Sequence, residues 1–345
     1  MYLINLDYLE LYFKEEYPEV LSVKDNTIYI PDTDICFKKI DNRKYHKPDY
    51  LYCYEIMIST KNIGTLYKDH MKFQYNKTKQ IICVRIENSV LYEENISEIL
   101  TTLSKNLKWK LQGVSRLDIC IDSDEDYQQK FKQMYYDTST YSFKYRSSDG
   151  RNSKLYVNGT GELDKKTEIG SPKNRKRMIV MYDKTLQLEK GNKPYIHNLH
   201  KTIFGHNRVS RLEIRLFNKE FSQREGLCLE LDKLNDKSYL EGISKDIIDD
   251  MIDFRVKKKN DSNKSRYQKI EFVTLNNTSE VIRNSVKQVV VKNNPYLKYL
   301  VKTLDKDSRS EEFSDLKDEM MDIRFRYIQV YGLGNQSINT LTNRK

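Results

Sequence analysis

Two stretches share one grammar: SRLDICID at residues 115–122 and SRLEIRLF at residues 210–217. Each opens Ser-Arg-Leu-acid-Ile and then alternates, the period of a strand that buries one face. In the first, Leu117, Ile119 and Ile121 point one way and Arg116, Asp118, Cys120 and Asp122 the other. In the second, Leu212, Ile214 and Leu216 oppose Arg211, Glu213 and Arg215. A third apolar run, residues 178–182, ends in Tyr-Asp-Lys. If these three strands are neighbours, Asp118, Asp122, Glu213, Tyr182 and Lys184 converge on one patch of sheet. That patch is the candidate active site.

Paired acids on adjacent strands suit a divalent ion of the Mg²⁺ or Mn²⁺ kind, which prefers oxygen ligands. The plain alternative is a set of Arg–carboxylate salt bridges on a sheet face, since alternating charge on strands is common. Tyr182 is one tyrosine of 26, and alone it says little. Lys184 shares its face, and a basic turn, Lys173, Arg175, Lys176 and Arg177, precedes its strand. Cations there can hold a phosphate and favour a phenolate nucleophile. His197 and His200 stand three apart with His206 nearby, but no acid supports them. A polar helix surface is the expectation there rather than a histidine metal site. Glycine pattern is equally sparse: Gly332 and Gly334 give a bare Gly-x-Gly, and no phosphate-binding loop is recognisable.

The chain has 345 residues, so one large domain with a smaller appendage is expected. Apolar residues make up 38% and aromatics 11%, enough for a packed core. Sixty Lys and Arg against 50 acids give a net charge of +10, which suits a polyanionic partner. Alanine is absent, which weakens propensity arguments because the best helix former is missing everywhere. The five cysteines form no Cys-x-x-Cys and read as buried thiols of a reducing cytoplasm. No basic leader with an apolar core opens the sequence, and no apolar run approaches a membrane span; a cytoplasmic protein is expected.

Along the chain, strands are expected over residues 5–14, 27–30, 35–38, 51–59 and 80–87. Asn95 followed by Glu98 starts a helix whose stripe is Ile96, Ile99, Leu100, Leu103 and Leu107. Further helices are expected over residues 126–136, 185–190, 195–204 and about 240–252. A hairpin turning at residues 147–150 and a loop over residues 158–167 fall between. SRLEIRLF is expected to close the sheet. Residues 1–254 then form the main domain and residues 255–269 a basic linker or arm. Residues 270–345 make a mainly helical end, with helices near 295–304 and 310–330.

The order of these pieces resembles one family. Arg-Leu-Asp-x-x-x-Asp follows a helix, a Gly-Ser turn precedes a hydrophobic strand into Tyr-Asp-Lys, and Arg-x-Glu-Ile-x-Leu comes after. This is similar to the trans-acting replication initiators of small rolling-circle plasmids and the related DNA-nicking relaxases of conjugative transposons. The likeness runs from about residue 80 to residue 217, with residues 5–13 as a first strand, and fades after residue 252. It implies an α+β fold with a mostly antiparallel, relaxase-like sheet, helices packed on one face and a mainly helical C-terminal region.

The resemblance also implies a site-specific, metal-dependent endonuclease and strand transferase. Its tyrosine, here Tyr182, keeps the 5′-phosphate as a covalent ester and leaves a free 3′-hydroxyl. By the same resemblance Asp118 and Glu213 are the first metal ligands and Asp122 a third, for Mg²⁺ or Mn²⁺. Lys184 and Arg211 clamp phosphate, and Arg116 joins Lys173, Arg175, Lys176 and Arg177 in binding DNA. Implied partners are single-stranded or hairpin origin DNA and a host replicative-type helicase, with a homodimer allowed and no membrane. One departure is Glu168, where relatives often carry an aromatic, so that turn offers no competing nucleophile. A relaxase for conjugative transfer and a non-catalytic DNA-binding protein on the same scaffold are the alternatives.

Overall fold

The computed structural model of the chain describes residues 1–15, 22–24, 26–40, 47–71, 81–144, 166–170, 176–191, 193–222, 227–257 and 267–276. Seven strands come first: β1 (Tyr2–Glu15), β2 (Ser22–Lys24), β3 (Thr27–Tyr29), β4 (Ile35–Lys39), β5 (Tyr50–Ile58), β6 (Lys61–His70) and β7 (Ile82–Ile86). Helices α1 (Asn88–Glu93) and α2 (Ile96–Leu107) lead into the long strand β8 (Trp109–Ser123). Then follow α3 (Tyr127–Tyr136), β9 (Tyr141–Lys144), β10 (Lys166–Ile169) and β11 (Arg177–Asp183). After these come α4 (Lys184–Glu189), α5 (Pro194–Phe204), β12 (Ser210–Phe217), α6 (Asn218–Ser222), α7 (Lys237–Met251), β13 (Asp253–Val256) and β14 (Gln268–Lys269).

Eleven strands form one antiparallel sheet in the order β10-β11-β12-β8-β1-β7-β6-β5-β4-β3-β2. The fold is α+β with a mostly antiparallel sheet, as the resemblance implies. The three motif strands are indeed neighbours, and the register makes the partition of faces explicit. Arg211 lies opposite Asp122, Glu213 opposite Cys120 and Arg215 opposite Asp118, while Tyr182 lies opposite Arg211. Residues paired across an antiparallel ladder share a face. One polar face of β11, β12 and β8 therefore carries Tyr182, Arg211, Glu213, Arg215, Arg116, Asp118 and Asp122, whereas Arg177 lies opposite Leu216 on the other face. That other face also carries Leu117, Ile119, Ile121, Ile179, Met181, Leu212 and Ile214, which like Leu216 are fully buried.

Helices α3 and α7 serve the apolar face. The Tyr127 backbone N–H at the start of α3 donates to Ser210 Oγ at 3.2 Å, and the Tyr2 hydroxyl donates to Glu241 of α7 at 2.7 Å. Helix α2 starts where the capping pattern predicts, with Asn95 accepting from the Glu98 N–H at 3.3 Å. It stops at Lys108, whose φ of 50° turns the chain straight into β8. Two shorter helices, α1 and α5, bring Tyr92 and His200 to the polar face.

Some local expectations are corrected. SRLEIRLF does not close the sheet; β12 lies inside it, with β11 and the edge strand β10 beyond. Strand β10 occupies residues read as the end of a loop and the start of a turn. Strand β6, KNIGTLYKDH, was not foreseen, because Gly64 and its charged residues hide the alternation. Gly64 is required there: a Cβ would meet the Arg85 carbonyl oxygen at 2.2 Å. Strand β9 joins β13 and β14 in a separate three-stranded sheet, while the rest of its expected hairpin lies outside the described residues.

The basic run is not wholly a linker, since its two ends lie in β13 and β14. The boundary expected after residue 254 falls inside β13. By its internal contacts the chain divides into Met1–Phe221 with Leu229–Val281, and Ser222–Cys228 with Ile282–Lys345. The candidate site belongs to the first unit. The helices expected near 295–304 and 310–330 lie outside the described residues. None of the five cysteines is in a disulfide. Among the described residues no helix is long and apolar enough to cross a membrane.

Candidate active site

Tyr182 is the penultimate residue of β11, on the polar face, and its hydroxyl donates to Glu213 Oε2 at 2.8 Å. Glu213 is held from its other oxygen by Arg215 Nε at 2.7 Å. One diagonal step away on β8, Asp118 accepts from Arg116 Nε at 2.8 Å. The tyrosine is 9% exposed and Glu213 and Asp118 4% and 2%, so the hydroxyl-bearing ring and both acids are buried while their arginine partners are partly open.

Burial dominates the titration here. It pushes the Tyr182 phenol well above its usual range, with Arg211 pulling down and the Glu213 carboxylate adding to the rise. The sequence-level expectation that nearby cations favour a phenolate is thus reversed: the phenol stays protonated, and its proton has a carboxylate waiting for it. Burial likewise pushes the Asp118 carboxyl up to about 7, with Arg116 opposing and Glu213 reinforcing. Lys184 follows Tyr182 by two residues, its Nζ 5.8 Å from the Tyr182 ring centroid and donating to Gln187 at 2.7 Å. Burial and the Arg211 charge pull that ammonium down to about 8, against Asp7 and Asp122.

Beside Tyr182 on the same face lies a second group, centred on the fully buried Arg211 and Asp122. Arg211 grips Asp122 with two donors, Nε at 2.6 Å and a terminal nitrogen at 2.7 Å, and reaches Asp7 at 2.8 Å and the Tyr92 hydroxyl at 2.9 Å. His200 Nε2 lies 2.8 Å from Asp122 Oδ2. An ionised carboxylate can only accept, so that ring nitrogen donates. Asp122 would be raised by burial, yet Arg211 and His200 hold it below the usual carboxylate range. Asp7 is held down likewise, its burial outweighed by Arg211, Lys184 and Lys193.

The expected residues divide accordingly. Tyr182, Glu213 and Asp118 come together. Asp122 and Arg211 are on the same face but 0% exposed, with their polar atoms committed to each other. Arg211 cannot clamp a phosphate from there; its charge acts instead on Tyr182, which it faces across the strand pair. Lys176 and Arg177 side chains are 12% and 10% exposed, each 3.5 Å from buried Glu220, and Arg177 also pairs with Asp250 at 2.8 Å. They are therefore turned inward and are not an open DNA-contacting pair. Arg116 is 31% exposed. Lys173 and Arg175 lie outside the described residues.

A hard divalent ion would find its oxygen donors at Asp118 and Glu213, not at Asp122. Even those two have their oxygens given to Arg116, Arg215 and Tyr182, and an ion would have to displace one of these. Among the described residues no three acidic, histidine or cysteine side chains are grouped to hold a metal. The expected three-carboxylate set is thus not assembled.

Sequence reasoning missed Asp7, Tyr92 and His200. His200 is 6% exposed rather than on a polar helix surface. A signal existed: Ile196 and Phe204, four residues either side, share its helix face. Tyr92 and Asp7 carried none.

No family model matches the chain, and no curated protein matches it. Among solved structures it is similar to the rolling circle replication initiator protein from Geobacillus stearothermophilus, at 15% identity and a TM-score of 0.45. That likeness covers 79% of this chain and 94% of the other.

Proposed function

We propose that this chain nicks one DNA strand at a specific site and holds the cut end on Tyr182, starting rolling-circle replication of a plasmid or mobile element. The observation that carries the reading is the Tyr182–Glu213 hydrogen bond, on the sheet face where the motif order places a nucleophile. Because burial disfavours a free phenolate, the proton leaves as the bond forms. Glu213 takes it while the phenolic oxygen attacks phosphorus, making a Tyr182–phosphorus ester and breaking the bond to the 3′-oxygen. The departing oxygen takes a proton from water and becomes the 3′-hydroxyl from which a polymerase extends. The ester conserves the cleaved bond, so rejoining needs no nucleotide cofactor.

Arg215 and Arg116 offset the negative charge that gathers on the phosphoryl group, and Lys184 adds a buried cation beside the ring. Asp118 and Glu213 would be the ligands of Mg²⁺ or Mn²⁺, which would supply further charge stabilisation. A replicative-type helicase is the partner such a reaction calls for.

One observation favours a different class. Every carboxylate of the patch is already paired with an arginine, which is how a non-catalytic DNA-binding sheet would look. Incubating the protein with labelled single-stranded origin DNA and Mg²⁺ or Mn²⁺, then running a denaturing gel, separates the two. A covalent adduct present in wild type and gone in Tyr182→Phe supports nicking. DNA binding with no adduct under any metal supports the binding module.

A further inference from the structure

Three ion pairs on the polar face share one layering. Arg215 pairs with Glu213 at 2.7 Å, Arg116 with Asp118 at 2.5 Å and Lys47 with Glu10 at 2.6 Å. The acid side chains are 5%, 2% and 5% exposed, whereas their bases are 28%, 31% and 29% exposed. The carboxylates make a floor and the base is the more exposed member of each pair, although Lys47 also donates to Cys83 Sγ at 3.3 Å and lies 4.8 Å from the Tyr67 ring centroid. A set of charges that sums to nothing therefore presents a positive surface.

The floor follows a line. Glu213, Asp118 and Glu10 come from β12, β8 and β1, which are adjacent. Arg215 lies opposite Asp118 and Arg116 opposite Glu10, so each acid is one diagonal step from the last. Such a step is about 7–8 Å, comparable to the separation of successive phosphates in an extended single strand. Partly exposed rings flank the middle cation: Arg116 sits 4.5 Å from the Tyr8 ring centroid and 5.7 Å from that of Phe217. The line ends at Glu213, the acceptor of the Tyr182 hydroxyl.

We propose that Arg215, Arg116 and Lys47 form a track along which single-stranded DNA leaves Tyr182, one phosphate to each cation. Its end at Tyr182 rests on the nicking reading; the layering of charge does not. Tyr8 and Phe217 offer faces on which unpaired bases stack, which a duplex cannot use because its bases face each other.

The test is a salt series of binding to a fluorescent oligothymidine, read by anisotropy, for wild type and the double variant Lys47→Gln/Glu10→Gln. Neutralising both leaves no buried unpaired carboxylate. Each phosphate neutralised on a single strand adds about 0.7 to the slope of log affinity against log salt. The double variant is expected to lose about 0.7 of slope and to bind several-fold more weakly at low salt. Should it fail to fold, Arg116→Gln/Asp118→Asn carries the same comparison at the middle cation, again with no carboxylate left unpaired and about 0.7 of slope lost.

An unchanged slope overturns the track, as does a duplex of equal length that outcompetes the single strand. Adduct formation by wild type is scored separately. A slope change without adduct keeps the track and removes the nicking reading, and the converse keeps nicking and removes the track.

Discussion

Tyr182 reaches Glu213 at 2.8 Å although the two are not opposite each other in the ladder: Tyr182 faces Arg211, and Val180 faces Glu213. The contact is diagonal, made by the length of the tyrosine ring, and it leaves the directly opposed Arg211 free to hold Asp122. One strand register thus supplies both an acceptor for the phenolic proton and a positive charge close to the ring.

If Glu213 takes that proton, Glu213→Gln keeps the shape and can still accept a hydrogen bond, but it cannot carry the proton away. Adduct formation is expected to slow by about 10²–10⁴-fold, the range typical of a positioned acid or base. Binding of the same oligonucleotide should not weaken, since the change frees Arg215 of its counter-charge. Single-turnover adduct kinetics beside anisotropy make the comparison, and an unaltered rate in the variant removes Glu213 from the chemistry.

Asp118 gives a prediction in pH. Unfolded, an aspartate titrates near 3.9, whereas burial pushes the folded carboxyl up to about 7. Between those values the folded chain binds the extra proton. Stability from this group is therefore full below about pH 4, declines as pH rises, and is lost above about 7. Asp118→Asn removes the decline, so the variant's stability relative to wild type should improve from pH 5 to pH 7.5. Urea unfolding at the two values measures it; a difference that does not move with pH, or moves the other way, contradicts the assignment.

Much of this was legible because a strand that buries one face writes its chemistry on alternate residues. Asp118 and Glu213 could be assigned to one face from the alternation alone, and Tyr182 joined them once its strand proved to be a neighbour. What alternation cannot report is depth. Arg211 and Arg215 occupy equivalent places in SRLEIRLF, yet one is sealed beneath α1 and α5 and the other is partly open. Nothing in the strand itself says where a helix will cover it. For the same reason Lys176 and Arg177 read as a basic patch but turn inward, toward Glu220 and Asp250.

Depth also decides the metal. Asp122 has its oxygens taken by Arg211 and His200 with no solvent access, so a hard cation has Asp118 and Glu213 to work with. Each guanidinium on that pair competes with the ion. Mn²⁺ bound to wild type, counted by the loss of its free electron paramagnetic resonance signal, should be weak. It is expected to weaken further in Asp118→Asn and in Glu213→Gln, and to be little changed in His200→Gln, which perturbs only the Asp122 group. A His200→Gln protein that loses Mn²⁺ as fully as Asp118→Asn would return Asp122 to the ligand set.

The buried group beside the tyrosine should weigh most on folding. Arg211 and Asp122 are both 0% exposed, and Asp7 shares the same guanidinium. Arg211→Met strands Asp122 where water cannot reach it and leaves Asp7, 15% exposed, without the same guanidinium, and breaking such a buried pair costs about 3–5 kcal/mol. His200→Ala removes one donor from a carboxylate that Arg211 still holds, so its cost is smaller, about 1–3 kcal/mol. Asp122 titrates below its unfolded value, so its contribution is present above about pH 4 and fades as pH falls through the folded value. The Arg211→Met deficit should accordingly shrink in acid, when the stranded carboxylates protonate. Urea unfolding of both variants at pH 7 and pH 4 gives the ranking and the pH trend, and a deficit for Arg211→Met no larger than that for His200→Ala would mean the guanidinium is not the member that holds the group together.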